Sequence, residues 1–123
     1  MTKNWLLLKY LKMVSLNHEG KYKKVLAEVV KLLKEELEPE KIILFGSRAK
    51  GEARPYSDID LALEGAKPLS LRELRKLKEK IETISWPYFV DLIFLEKTKD
   101  EFKNWIIKTG LTLYEKNRNS LKD

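Results

Sequence analysis

Gly46-Ser47-Arg48-Ala49-Lys50-Gly51, followed after a short loop by Ser57-Asp58-Ile59-Asp60-Leu61, decides how the rest of the chain reads. The first segment leaves Lys41–Phe45, a short apolar run of strand length containing two isoleucines. Its Gly-Ser turn offers free backbone N–H groups and a hydroxyl, which suit a phosphate chain. Ten residues separate Ser47 from Asp58. A second strand is expected over residues 58–63. Side chains alternate along a strand, so Asp58, Asp60 and Ala62 share one face, and Ile59, Leu61 and Leu63 the other. Two carboxylates side by side repel unless a cation lies between them, and a divalent metal is the usual answer. A phosphate cradle joined to metal-binding carboxylates points to chemistry on a nucleoside triphosphate.

Asp91 extends the pattern. It stands in Tyr88–Leu95, a run that is apolar at every other position and reads as a third strand. An unpaired charge buried there would be costly, so Asp91 is expected to have a partner, a ligand or a metal. The plain alternative is a core carboxylate satisfied by backbone N–H groups. If this strand lies beside the Asp58 strand, three carboxylates converge. Two can hold a metal on a triphosphate. The third can complete a second metal site and take the proton of an attacking hydroxyl. Taken singly, an Asp-x-Asp pair or a Gly-Ser turn means little; the combination carries the argument.

Phe45-Gly46-Ser47-Arg48-Ala49-Lys50-Gly51 through Ser57-Asp58-Ile59-Asp60-Leu61 resembles the signature of the DNA polymerase beta-like nucleotidyltransferase superfamily. It is most similar to the minimal nucleotidyltransferases (MNT), the antitoxin partners of HEPN-domain toxins. The resemblance runs from about Tyr22 to Glu115 and leaves the first nineteen residues outside it. It implies an α+β (mixed α/β) nucleotidyltransferase fold, a small mixed β-sheet with helices packed mainly on one face. It implies that Gly46 and Ser47 hold the triphosphate and that Asp58 and Asp60 bind magnesium. Phe89-Val90-Asp91-Leu92-Ile93 matches the family's third acidic strand, which makes Asp91 the third carboxylate of a two-metal site. Arg48 and Lys50 follow the turn and are candidates for neutralising phosphate oxygens; surface cations in a basic protein are the bland alternative.

The remaining elements follow from periodicity. Tyr22, Val25, Leu26, Val29, Leu33 and Leu37 repeat at helical spacing and predict a helix over residues 20–38, stopped by Pro39. Ser70 and Glu73 form a capping-box pattern ahead of Leu71, Leu74, Leu77, Ile81 and Ile84. Thr98 and Glu101 suggest a second box, opening a helix that carries Phe102, Trp105 and Ile106 and ends at Gly110. A last strand is expected from Leu111. These elements divide the chain into an amphipathic N-terminal extension (1–19), a nucleotidyltransferase domain (20–115) and a polar tail (116–123).

Composition sets limits. The 123 residues contain no cysteine and one histidine, which removes disulfides, thiolate catalysis and Cys- or His-rich metal clusters. The absence of cysteine fits a reducing compartment, and a cytoplasmic location is expected. The apolar run from Trp5 to Val14 is broken by Lys9 and Lys12 and falls short of the roughly 20 residues of a membrane span. The net charge of +6 suits ATP, an acidic protein or RNA. Aromatic residues at core spacing argue against direct nucleic-acid binding. Tyr56 is a weaker candidate for stacking on a base. His18 reads as an exposed residue, and Lys21, Lys23 and Lys24 as a solvated helix face.

The expected reaction is magnesium-dependent transfer of AMP from ATP to a hydroxyl, with attack on the α-phosphorus and release of pyrophosphate. No second domain is evident to bind an elaborate acceptor, so a partner is expected to present it. The MNT resemblance implies a tyrosine of a HEPN ribonuclease toxin. The rival readings are a non-catalytic antitoxin that acts by binding alone and a small-molecule, aminoglycoside-type nucleotidyltransferase.

Overall fold

The structure is a computed structural model that describes residues 2–116, with side chains from Gly20 onward. The expectations for Trp5 to Val14, His18 and the tail beyond Lys116 lie outside the described side chains. The elements are α1 (Thr2–Leu37), β1 (Lys41–Phe45), α2 (Ser47–Lys50), β2 (Ile59–Glu64), α3 (Leu71–Ser85), β3 (Val90–Phe94), a 3-10 turn (Leu95–Lys97), α4 (Asp100–Thr109) and β4 (Leu111–Glu115). α1 starts well before the expected residue 20. No proline interrupts residues 2–37, and Gly20 alone costs a helix only about 1 kcal/mol. The boundary expected between residues 19 and 20 therefore lies inside one helix.

The four strands form one mixed sheet in the order β3-β2-β1-β4. β1 is antiparallel to β2 and β4, while β2 and β3 run parallel. Alternation along the strands sorts the core into two layers. Ile42, Leu44, Ile59, Leu61 and Leu63 face α1 and α3, which contribute Val25, Val29, Leu33, Leu37, Leu77 and Ile81. Ile43, Phe45 and Ala62 face the other way and pack with Leu95 and with Ile106 of α4. The two long helices thus share one face, as expected, and the shorter α4 closes the opposite face.

Local signals held unevenly. The capping box of α3 is present: Ser70 Oγ accepts from the Glu73 N–H at 3.1 Å, and Glu73 Oε1 accepts from the Ser70 N–H at 3.1 Å. These hydrogen bonds hold the Glu73 carboxyl below the usual glutamate range. The second box is absent. Thr98 donates its hydroxyl to the Phe94 carbonyl at 2.9 Å, and α4 is capped by Lys99 without a side-chain bond. The 3-10 turn accounts for this, because Thr98 completes that turn and its N–H bonds the Leu95 carbonyl. Leu71, expected on the apolar stripe, is exposed in the first turn; the buried stripe begins further on, at Leu77. Gly110 ends α4 as expected but with ordinary φ. Its lack of a side chain matters for packing, since a Cβ would stand 2.4 Å from Ile43 Cγ2 and 3.0 Å from the Leu44 carbonyl. Among the described residues, no helix is long and apolar enough to cross a membrane.

Candidate active site

β1 delivers the chain to Gly46, whose φ of +78° lies in the region that favours glycine. A Cβ at this position would fall 2.6 Å from Asp60 Oδ2. The turn therefore sits directly against the Asp60 carboxylate, and only a residue without a side chain permits that approach. Ser47 opens the single helical turn α2, and the Lys50 N–H closes it on the Gly46 carbonyl at 3.2 Å.

Strand register assembles the acidic group. Phe45 pairs with Asp60 across the antiparallel ladder, and Asp60 pairs with Asp91 across the parallel one. Paired residues in adjacent strands point to the same side, so the two aspartates project from the face that carries Phe45 and Ala62. Asp58 stands just before β2, which begins at Ile59 rather than at Asp58. The Ile59 N–H bonds the Phe89 carbonyl at 2.9 Å and ties the start of β2 to the segment that leads into β3. The Asp60 carboxyl is pushed above the ordinary aspartate range, by partial burial first and then by the charges of Asp91 and Asp58. Asp60 thus senses both of its acidic neighbours.

Asp91 itself is exposed, which corrects the expectation that it bears a burial cost. β3 is an edge strand of the sheet, so an apolar sequence there does not imply enclosure. No burial penalty forces a partner on Asp91; its interest rests on its register with Asp60.

Among the described residues, no group of three carboxylate or imidazole side chains is drawn together tightly enough to hold a metal ion alone. The donor set still fits magnesium. That ion takes oxygen ligands and is usually held by one or two carboxylates together with substrate phosphates, rather than by a complete protein cage. Asp58 and Asp60 beside a turn that could carry phosphate match that mode.

The basic residues are differently placed. Arg48 does not reach out from the turn. Its guanidinium donates to the Ser57 carbonyl at 2.9 and 3.2 Å and to the Pro55 carbonyl at 3.3 Å. Its flat face lies 3.9 Å from the Tyr22 ring centroid and 5.3 Å from that of Tyr88. Burial raises the hydroxyl pKa of both tyrosines, against the lowering effect of Arg48. Arg48 thereby fastens the loop that leads into Asp58. Sequence reasoning missed this cluster, because Tyr22, Arg48 and Tyr88 come from separate elements and no spacing links them. Lys50 is exposed and holds its Nζ 5.2 Å from the Trp105 ring centroid. Tyr56 is exposed and tilted against Tyr88, at 6.1 Å between centroids.

Residues 27–119 match the family model described as "Polymerase beta, Nucleotidyltransferase". The chain belongs to this nucleotidyltransferase family. Within it, the chain is 35% identical over 91 residues to a Haemophilus influenzae protein described as "Probable protein adenylyltransferase MntA", covering 73% of this chain and 80% of that one. The nucleotidyltransferase is also similar to a crystal structure of a toxin–antitoxin with AMP-PNP, at a TM-score of 0.63 and 26% identity, over 76% of this chain and 75% of that one. A crystal structure of a mutant toxin–antitoxin MntA-HpeT matches at a TM-score of 0.59 and 26% identity, over 76% of this chain and 74% of that one.

Proposed function

We propose that this nucleotidyltransferase is a protein adenylyltransferase that transfers AMP from ATP to a hydroxyl of a partner toxin. The observation that carries the reading is a turn at Gly46 that admits no side chain because it lies against Asp60, which is itself in register with Asp91. The relative described as a protein adenylyltransferase supports the reaction class, and the toxin–antitoxin with AMP-PNP supports an adenine nucleotide and a toxin partner. Gly46 and Ser47 receive the triphosphate, with Lys50 near enough to add charge. Asp58 and Asp60 would hold magnesium together with the phosphates, and Asp91 would complete a second site. When bound, the metal ions neutralise charge on the attacking and leaving oxygens.

The chain's own residues do the rest. The exposed Asp91 faces an incoming acceptor and takes its hydroxyl proton. The acceptor oxygen then bonds the α-phosphorus as the bond to the bridging oxygen of the β-phosphate breaks, and pyrophosphate leaves. The MNT resemblance makes the acceptor a tyrosine of a HEPN-type toxin, and the lack of cysteine suits a cytoplasmic setting.

The test is incubation with radiolabelled ATP, magnesium and a candidate HEPN-type partner, scored for label and for residual ribonuclease activity. Label should appear on the partner and vanish with Asp91→Asn. Full neutralisation by Asp91→Asn without any label would instead establish an antitoxin that acts by binding alone.

A further inference from the structure

Phe102 and Trp105 lie one turn apart on α4, with ring centroids 5.8 Å apart and planes 14° from parallel. Both stand edge-on to Phe45, at 5.9 and 6.3 Å. Phe45 is buried, immediately precedes Gly46 and is the register partner of Asp60. The aromatic shelf therefore begins where the candidate phosphate turn begins, on the sheet face that carries Asp60 and Asp91. Ile106 is fully buried and anchors α4, whereas Phe102 and Trp105 stay 40% and 37% exposed.

Two half-exposed aromatic residues could simply cap one end of a sheet. Lys50 argues for more. It comes from the phosphate turn itself, and its ammonium lies over the Trp105 ring. A cation on an exposed ring is held weakly, while a charge-assisted bond to phosphate is strong. An arriving triphosphate would draw Lys50 away and leave a bare indole face beside the phosphates.

We propose that Trp105, backed by Phe102, is the stacking platform for the nucleobase of the bound nucleoside triphosphate. Lys50 passes from the indole to the phosphates as the nucleotide enters. This inference rests on the nucleotide reading above. Stacking uses the π-face that every base has, so this contact selects for a base without choosing which one. Tyr56, the rival platform, leans on Tyr88 in the core layer beneath α1 and α3, on the other side of the sheet.

The experiment is calorimetric titration of the full chain with Mg·ATP and with magnesium tripolyphosphate, which has the phosphates and no base. Trp105→Leu should weaken ATP on the order of tenfold and leave tripolyphosphate unchanged. Trp105→Phe should retain most of the ATP affinity. Phe102→Leu should give a smaller loss of the same selectivity, which keeps the test sharp should Trp105→Leu fold poorly. Equal losses for both probes, unchanged ATP affinity, or a selective loss in Tyr56→Leu instead would each overturn the platform. Unchanged ATP affinity with lost capture of the toxin would reassign the shelf to protein docking. If the unaltered chain binds neither probe, the nucleotide reading fails, and the platform with it.

Discussion

Asp60 and Asp91 stand opposite each other in the parallel β2–β3 ladder, and the mutual charge contributes to holding the Asp60 carboxyl above its ordinary range. Such a pairing works against stability in the free chain, since like charges directly opposite on adjacent strands repel. Two opposed carboxylates offer oxygens able to hold a cation or accept a proton. The same row ends at Phe45 on β1, one residue before the turn, so a single line across three strands connects the carboxylates to the candidate phosphate cradle.

The raised Asp60 pKa fixes the sign of a pH effect. Between the ordinary aspartate value and the raised one, the folded chain binds more protons than the unfolded chain, so stability falls as pH rises through that window. Above the window the full penalty remains. Asp60→Asn should flatten this dependence and leave the melting temperature at neutral pH equal or higher, as thermal melts across the acid range would show. The same variant, and Asp58→Asn, should lose the strengthening of ATP binding by magnesium. In the unaltered chain, Mg·ATP affinity should weaken as pH falls through the window, because a proton would compete with the metal for Asp60 if Asp60 is its ligand as proposed.

Gly46 combines a positive φ with no room for a side chain. Valine there would meet Asp60 Oδ2 and a backbone conformation that costs about 1–3 kcal/mol outside glycine. Gly46→Val should abolish ATP binding by displacing the carboxylate as well as the turn. Ser47→Ala removes one hydroxyl and leaves the N–H in place, so it should weaken ATP binding less. Wild-type ATP affinity in a folded Gly46→Val protein would remove the turn from the site.

Arg48 tests positioning against direct contact. Its fork bonds the Ser57 and Pro55 carbonyls, and lysine cannot reproduce that geometry. Arg48→Lys should cost about 1–3 kcal/mol in urea unfolding. It should also weaken Mg·ATP binding, through a loosened loop before Asp58. Loss of nucleotide affinity with unchanged unfolding would point instead to a phosphate contact.

Asp91 is exposed on an edge strand, so its removal should barely touch the fold. Asp91→Asn is expected to stay within about 0.5 kcal/mol of the parent in stability. It should bind Mg·ATP through Asp58 and Asp60 yet transfer no AMP, which single-turnover labelling would read. Undiminished transfer would take the proton-accepting role away from Asp91.

The local chemistry was legible in the residues themselves. Lys41–Phe45 has the composition and length of a strand, Ser70 and Glu73 reciprocate three positions apart, and Asp58 and Asp60 alternate with Ile59 and Leu61. Each depends only on the two- or 3.6-residue repeat of the backbone or on hydrogen bonds between near neighbours, so a short window of sequence determines it. Tertiary structure decided everything that depends on which element lies beside which. It placed β3 at the sheet edge, which leaves Asp91 in solvent despite its apolar neighbours, and in register with Asp60. It set Arg48 against Tyr22, Tyr88 and the carbonyls before Asp58. It set α4 on the carboxylate face, which brings Trp105 to Lys50. Burial and pairing across a sheet are set by strand order and by contacts between distant segments, and no periodicity within one segment encodes them.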